Sequence, residues 1–213
     1  MTNGTKALIE ACISQSQDFK EYNLGELIDI AEKLYGYTKE LTDVYIAAHE
    51  DATLENCSLA FQQTEGKYKF PDSNLYFDKR EFLIFLSIII DVFEEILPLG
   101  SVVDLKKERL KGTLPIDEIE NVRIVITHRF LHNPKDKFYF PYAGVVYPVG
   151  SMGQERTLHF TSPFIERVVH KGYSDEQDEA FVQMMKHELL CNRQVQSFSF
   201  ASQNDVLNRK DET

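Results

Sequence analysis

The hydrophobic period of this chain changes at Pro98, and that change limits the folds open to it. Before Pro98, apolar residues recur at spacings of three and four, the pattern of amphipathic helices. After Pro98, short runs of β-branched and aromatic residues alternate with Gly and Pro, which is typical of strands joined by turns. The sequence therefore predicts an α+β fold, in which an N-terminal helical part packs on a small antiparallel β-sheet or half-barrel with a closing C-terminal helix.

The first strong helix signal lies at Asn23, which is followed three residues later by Glu26. This spacing is close to a capping box, in which two side chains satisfy free backbone amides at a helix N-terminus. Beyond it, one apolar stripe continues for about seven turns, and we expect a single helix that packs against another helix. The stripe consists of Leu27, Ile30, Leu34, Tyr37, Leu41, Val44 and Ala48.

A second helix is predicted to begin after Asp78, which is also followed three residues later by a glutamate. It should continue to about residue 96, because the ring of Pro98 cannot extend the helical hydrogen bonds. Apolar residues, including Phe85 and Phe93, cover most of its circumference. Such a helix lies either at the centre of a core or under a bound partner.

The second half of the chain predicts five strands and one helix. A polar segment, Lys106–Glu120, is expected as a loop insert, and Gly66–Asn74 as a polar loop. Ser174 and Gln177 predict the cap of a last helix, with a buried stripe of Ala180, Phe181, Met184, Met185 and Leu189. The strands are Ser101–Leu105, Val122–Thr127, Phe138–Tyr147, Thr157–Phe160 and Arg167–His170. The predicted domains are 1–96 (helical), 97–193 (β unit plus helix) and 194–213 (flexible tail).

Composition narrows the function classes. The 213-residue chain carries a net charge of −11, which argues against a nucleic-acid partner because phosphate binding needs clustered Lys and Arg. Its three cysteines are far apart, which fits neither a disulfide framework nor a zinc module, and suits a reducing compartment. No signal peptide is visible, and the most apolar segment, Phe82–Val92, is too short to span a bilayer. We therefore expect a cytoplasmic protein without membrane insertion.

Several residue pairs have spacings that occur in catalytic or metal sites. His128 and His132 would share a face on a helix, but they follow a strand pattern and lack a third ligand. His187 and Cys191 are one helical turn apart, yet no orienting group or oxyanion hole accompanies them. Gly150–Gly153 encloses a serine, which a turn between strands explains. The sequence predicts no catalytic residue, no cofactor and no metal.

The aromatic residues near the third predicted strand have two open interpretations. Strand alternation sends about half of such side chains outward, where tyrosines are frequent anchors of protein interfaces. Core packing or cross-strand pairing explains the same residues equally well. The candidate partner-binding residues are Phe138, Tyr139, Tyr142 and Tyr147, with Phe85 and Phe93 on the second helix.

From about Leu97 to Leu189 the chain resembles a small uncharacterised domain family of Gram-positive type VII (Esx/LXG toxin) secretion loci. The residues that carry the resemblance are Leu97–Val103, Phe140–Gly150, Phe160, Ile165–Val169 and Lys171–Tyr173. Two features depart from it: the insert between the first two strands and the helical extension of over ninety residues. The resemblance provides no catalytic residues.

The family setting implies a non-enzymatic cytosolic accessory protein, a chaperone or targeting adaptor that binds an LXG-type effector of the same locus before export. An immunity protein that neutralises a cognate toxin is the alternative, and an acidic surface could imitate a phosphate backbone for a nuclease toxin. An enzyme of unknown chemistry is the second alternative. Neither the binding face nor the oligomeric state follows from the sequence.

Overall fold

The computed structural model describes residues 1–50, 59, 61–64, 66–70, 72–107, 122–151 and 157–201, and it has the expected α+β fold. The chain divides into two compact units. The helical unit comprises Met1–Glu95 together with Lys186–Gln194, and the sheet unit comprises Ile96–Met185 together with Val195–Thr213. The chain thus leaves the helical unit just before Pro98. The short segment Lys186–Gln194, most of which the sequence places in the domain 97–193, returns to the helical unit.

The described residues of the helical unit form four α-helices, and the second and third replace the single long helix predicted from Asn23 to Ala48. That prediction is wrong because Gly36 has φ +96°, a left-handed conformation that ends a helix and that glycine adopts without strain. The apolar stripe keeps its phase across this break, but Tyr37 is 46% exposed. The helices are α1 (Asn3–Gln15), α2 (Leu24–Leu34), α3 (Thr38–His49) and α4 (Lys79–Phe93).

Helix α4 begins as predicted and ends earlier. Asp78 accepts a hydrogen bond from the Glu81 amide, and the Glu81 carboxylate accepts one from the Asp78 amide, which forms a complete capping box. The helix ends at Phe93, because Glu94 turns to an extended ψ of 126°. Pro98 is therefore not its terminator.

An aromatic cluster forms much of the core of the helical unit. Part of it comes from a hairpin of strands β1 (Gln62–Thr64) and β2 (Lys67–Lys69). The prediction of a polar loop over Gly66–Asn74 is therefore wrong where β2 forms. Tyr68 and Phe70 in this segment are each 2% exposed, and the Tyr68 ring stacks on Phe82. The other rings of the cluster are Phe19, Tyr22, Phe61, Phe77 and Phe85.

The five predicted strands are confirmed, and they form one sheet in the order β6-β5-β4-β3-β7, in which every neighbouring pair is antiparallel. Strand β4 is longer than predicted. A sixth strand, β8, pairs in parallel with the start of β5. The strands are β3 (Val102–Leu105), β4 (Val122–Leu131), β5 (Phe138–Val146), β6 (Leu158–Phe160), β7 (Ile165–His170) and β8 (Gln196–Ser197).

The last helix, α5 (Glu176–Lys186), differs from its prediction in cap and burial. Asp175 rather than Ser174 caps it, since its carboxylate accepts from the Asp178 amide. Phe181 is 40% and Met184 58% exposed, so the predicted buried stripe is wrong over most of its length. The helix continues into a π-helical turn, His187–Asn192.

Within the segment 194–213, which is predicted as a flexible tail, Val195, Ser197 and Phe200 are buried. Residues 202–213, most of the predicted insert 106–120 and part of Gly150–Gly153 lie outside the described residues. In the described part of the chain, no helix combines the length and the apolar character needed to span a bilayer.

Candidate partner-binding surface

Four of the six aromatic residues predicted to bind a partner lie in the core. Phe138, Tyr139, Tyr142 and Phe85 are each at most 1% exposed, so their rings present no surface to a partner in this structure. Strand β5 lies between β4 and β6, and it is buried on both faces over most of its length. Strand alternation therefore does not bring Phe138, Tyr139 or Tyr142 to solvent, and core packing is the better interpretation of these three residues and of Phe85.

Tyr142 shows why a buried tyrosine suits this position. Its ring stacks on Phe160 of β6 at 5.4 Å, and its hydroxyl accepts a hydrogen bond of 3.0 Å from the Leu97 amide. A buried phenol needs such a polar partner, because an unpaired hydroxyl in an apolar core costs free energy.

The two remaining candidates keep exposed surface. Tyr147, just after the end of β5, is 53% exposed. Phe93 is half-buried at the end of α4, where its ring meets that of Tyr35 edge to face at 5.2 Å. Tyr147 is thus the most accessible member of the predicted set.

Next to Tyr147, three strands bring together two arginines and one aspartate. Asp104 on β3 lies directly opposite Arg123 on β4 and Arg167 on β7. The Arg123 side chain donates to both carboxylate oxygens, at 2.7 and 3.2 Å. The Arg167 Nε donates to Asp104 Oδ2 at 2.8 Å. We call these three residues the arginine–aspartate ladder.

The ladder leaves positive charge on an acidic protein. Asp104 is 1% exposed, whereas the side chains of Arg123 and Arg167 are 32% and 63% exposed. The hydrogen bond from Arg123 is the main reason that the pKa of Asp104 lies below its usual range. Two guanidinium groups share one carboxylate, so the ladder carries a net charge of about +1.

Apolar residues continue the ladder along the same face of the sheet. Val102 pairs with Val125, two residues from Asp104 and Arg123 respectively, so all four side chains share one face. Both valines are half-buried. Tyr147 joins this face: its amide donates to the Arg123 carbonyl at 2.9 Å, and its side chain adds to the effect of Asp104 in raising the pKa of Arg123.

We call this surface the ladder face, defined by Asp104, Arg123, Arg167, Val102, Val125 and Tyr147. Arginine and tyrosine are enriched at the energetically important positions of protein interfaces, and the surrounding apolar area is what a partner buries. The face can therefore bind a protein surface that offers carboxylates beside apolar side chains. Composition did not point to it, because its members come from four separate segments of the chain.

A second ion pair of the sheet unit has a structural role. Arg129 donates to both carboxylate oxygens of Asp178, at 3.2 and 2.5 Å, and its guanidinium lies 5.4 Å from the centre of the Phe181 ring. Its side chain is 5% exposed, and it lowers the pKa of Asp178. This contact ties β4 to the first turn of α5.

The helical unit holds a buried polar cluster that sequence reasoning missed. Lys186 is 3% exposed, and its ammonium donates to the carbonyls of Val92 and Glu94 at 2.9 and 2.6 Å. An ammonium at these carbonyls neutralises the negative end of the α4 dipole. Asp91 is 1% exposed, and oxygen Oε1 of Glu94 is buried without a hydrogen-bond partner. Burial raises the pKa of Glu94 to about 7.

Glu94→Gln should remove one pH dependence of stability. The folded-state pKa of Glu94, about 7, is above its ordinary value of 4.5, so its contribution is present at acid pH and is lost as the pH rises from about 4.5 to 7. The free energy of unfolding of Glu94→Gln minus that of the natural chain should increase by roughly 2–3 kcal/mol over this interval. Urea unfolding at several pH values measures it; a constant difference would contradict the assignment.

The remaining candidate pairs, His128 with His132 and His187 with Cys191, have separate surroundings. His128 Nδ1 lies 2.8 Å from the Thr127 hydroxyl, and His132 Nε2 lies 3.2 Å from the Asp136 carbonyl, so the two rings have separate partners. His187 is exposed, whereas Cys191 is buried and lies against Cys12. Among the residues that the structure describes, no group of three His, Cys, Asp or Glu side chains could hold a metal ion.

Comparison with known proteins finds a similarity for part of the sheet unit. Residues 96–181 match the model of a family described as a domain of unknown function (DUF4176). The match runs from the end of the helical unit to the middle of α5. The match supports the prediction of an uncharacterised domain family, at bounds close to the predicted interval Leu97–Leu189. No curated protein matches the chain, and no solved structure matches it.

Proposed function

We propose that this protein is a non-enzymatic accessory protein that binds another protein through the ladder face. The observation that carries the proposal is the exposed Tyr147 beside Arg123, on the same sheet face as Arg167 and two half-buried valines. Such a face is suited to a folded or extended protein segment, since it combines a small net charge with the exposed ring of Tyr147 and two half-buried valines.

The partner we propose is an LXG-type effector of a type VII secretion system, bound in the cytoplasm before export. The resemblance of Leu97–Val103 and Phe140–Gly150 to domains of such loci supports this choice. A chaperone or targeting adaptor in that setting has to hold an effector without modifying it. The contact residues of the ladder face then have an anchoring role rather than a catalytic one.

Co-expression with the LXG effector of the same locus tests the proposal. We expect the two chains to elute together from a size-exclusion column, and Tyr147→Ala to weaken binding at least tenfold, because exposed tyrosines at interface centres contribute about 1.4 kcal/mol or more. Tyr76→Ala is the matched control, since Tyr76 is also 53% exposed but lies in the helical unit.

The outcomes test effector binding and the choice of the ladder face as the binding surface separately. Separate elution of the two chains would refute effector binding. A stable complex that Tyr147→Ala and Arg167→Ala leave unchanged would keep the function and refute the ladder face. If this protein protects toxin-expressing cells, and if deleting it leaves export of the effector unchanged, the immunity role replaces the chaperone role.

A further inference from the structure

Two cysteines far apart in sequence meet inside the helical unit. Cys12 on α1 and Cys191 in the π-helical turn are separated by 179 positions, and their sulfur atoms lie 2.9 Å apart. Both thiols are buried, at 6% and 1% exposure. Sequence reasoning treated them as isolated thiols, because the spacing of residues along the chain carries no sign of this contact.

We propose that Cys12 and Cys191 form a reversible disulfide, and that a hydroperoxide such as hydrogen peroxide is the oxidant. The bond would need the sulfur atoms to approach by about 0.9 Å, to the usual disulfide length of 2.0 Å. The proposal concerns a modification site of the helical unit and does not depend on the proposed effector binding.

The surroundings favour one sulfur as the nucleophile. The hydrogen bond from Cys12 lowers the pKa of Cys191, and the same bond raises that of Cys12. The thiolate is the reactive form of cysteine, so Cys191 is expected to react first. The Cys12 sulfur lies 2.9 Å from the Cys191 sulfur and is placed to resolve the first product.

The reaction balances with one peroxide per pair. The Cys191 thiolate attacks a peroxide oxygen, the O–O bond breaks, and the leaving hydroxide takes a proton and departs as water. Cys191 is then a sulfenic acid, which condenses with a thiol. The Cys12 sulfur attacks it, the S–S bond forms, and the S–O bond breaks with release of a second water that carries the Cys12 proton. Two thiols lose two electrons, and the peroxide is reduced.

The disulfide would act as a lock on one segment. Lys186–Gln194 belongs to the helical unit, where Lys186 contacts the end of α4 and Cys191 contacts α1. Oxidation would make the second of these contacts covalent and would close a very long loop, which restricts the unfolded chain most strongly. The oxidised protein should therefore hold this segment more tightly than the reduced protein.

Oxidation of the full-length Cys57→Ser variant tests the proposal, because this variant retains only the pair. After hydrogen peroxide, denaturation and alkylation, we expect a mass lower by two hydrogens, no alkyl groups, and a linked peptide of Cys12 and Cys191. Tm should rise by about 5–15 °C and return when a dithiol reductant is added. Cys12→Ser in the same background should show neither change.

Three results would overturn the proposal: two alkylated cysteines after oxidation, sulfinic or sulfonic acids in place of the linked peptide, or a disulfide that does not raise Tm. If Cys57→Ser fails to fold, peptide mapping of the oxidised natural chain decides the question. Linkage of Cys12 to Cys191 then supports the proposal, and linkage of either residue to Cys57 refutes it.

Discussion

Asp104→Asn should lower the free energy of unfolding by about 2–3 kcal/mol at pH 7. Removing one partner of a buried ion pair costs about 3–5 kcal/mol, because the remaining charge is left uncompensated. The loss should be smaller here, since the side chains of Arg123 and Arg167 are 32% and 63% exposed and can regain water. Asparagine keeps the shape of the side chain, so the measurement isolates the carboxylate charge.

The pH dependence of stability is a second test of the interaction between Asp104 and the two arginines. The folded-state pKa of Asp104 is below its ordinary value of 3.8, so the carboxylate stabilises the fold above that pH, and this stabilisation is lost as the pH falls through the folded-state pKa. The penalty of Asp104→Asn should therefore shrink in strong acid. Urea unfolding at pH 7 and below pH 3 measures it.

Arg167→Ala is the control for the ladder, because the exposed half of an ion pair contributes little. It should cost less than about 1 kcal/mol, since its guanidinium is mostly hydrated in the folded protein. Equal losses for Asp104→Asn and Arg167→Ala would contradict the view that Asp104 is the buried centre of the ladder.

Lys186→Met should destabilise the protein by about 2–4 kcal/mol at pH 8. Methionine retains the apolar length of the side chain, but the carbonyls of Val92 and Glu94 lose the ammonium that donates to them. The nearby Glu94 carboxylate also loses its positive neighbour. In the natural chain, the charge of Lys186 lowers the pKa of Glu94 and so opposes the effect of burial.

The effect of Lys186→Met should diminish at pH 5, where Glu94 is protonated in the folded state. The double variant Lys186→Met/Glu94→Gln should be less destabilised at pH 8 than the sum of its single variants, because the charge of Lys186 lowers the pKa of Glu94 against the effect of burial. Chemical denaturation of the natural chain, the two single variants and the double variant gives the double-mutant cycle. Strict additivity would show that Glu94 does not respond to Lys186.

Lys6→Met is the matched control in the same unit. Lys6 forms an ion pair of 2.7 Å with Glu32, but the two side chains are 45% and 40% exposed. We expect almost no change in stability, because exposed pairs are screened by water and salt. The difference in destabilisation between Lys186→Met and Lys6→Met would then measure the effect of burying a lysine near a glutamate, since both variants remove the same charge.

The cysteine pair, the buried polar cluster and the ladder face depend on contacts between distant segments. Asp104, Arg123 and Arg167 meet because antiparallel pairing places three strands in register. Tyr147 became the leading candidate of the aromatic set only after burial was known, since strand alternation cannot say which faces of a sheet are covered.

Local signals in the sequence determined the α+β class, the positions of the strands after Pro98, and the capping box at Asp78, because period, turn chemistry and caps act within a few residues. The tertiary structure alone decided the hairpin of β1 and β2, the buried state of Lys186 and the meeting of Cys12 with Cys191. In each of these cases, burial and contacts between segments far apart in sequence outweigh local propensity, and no short window of sequence contains that information.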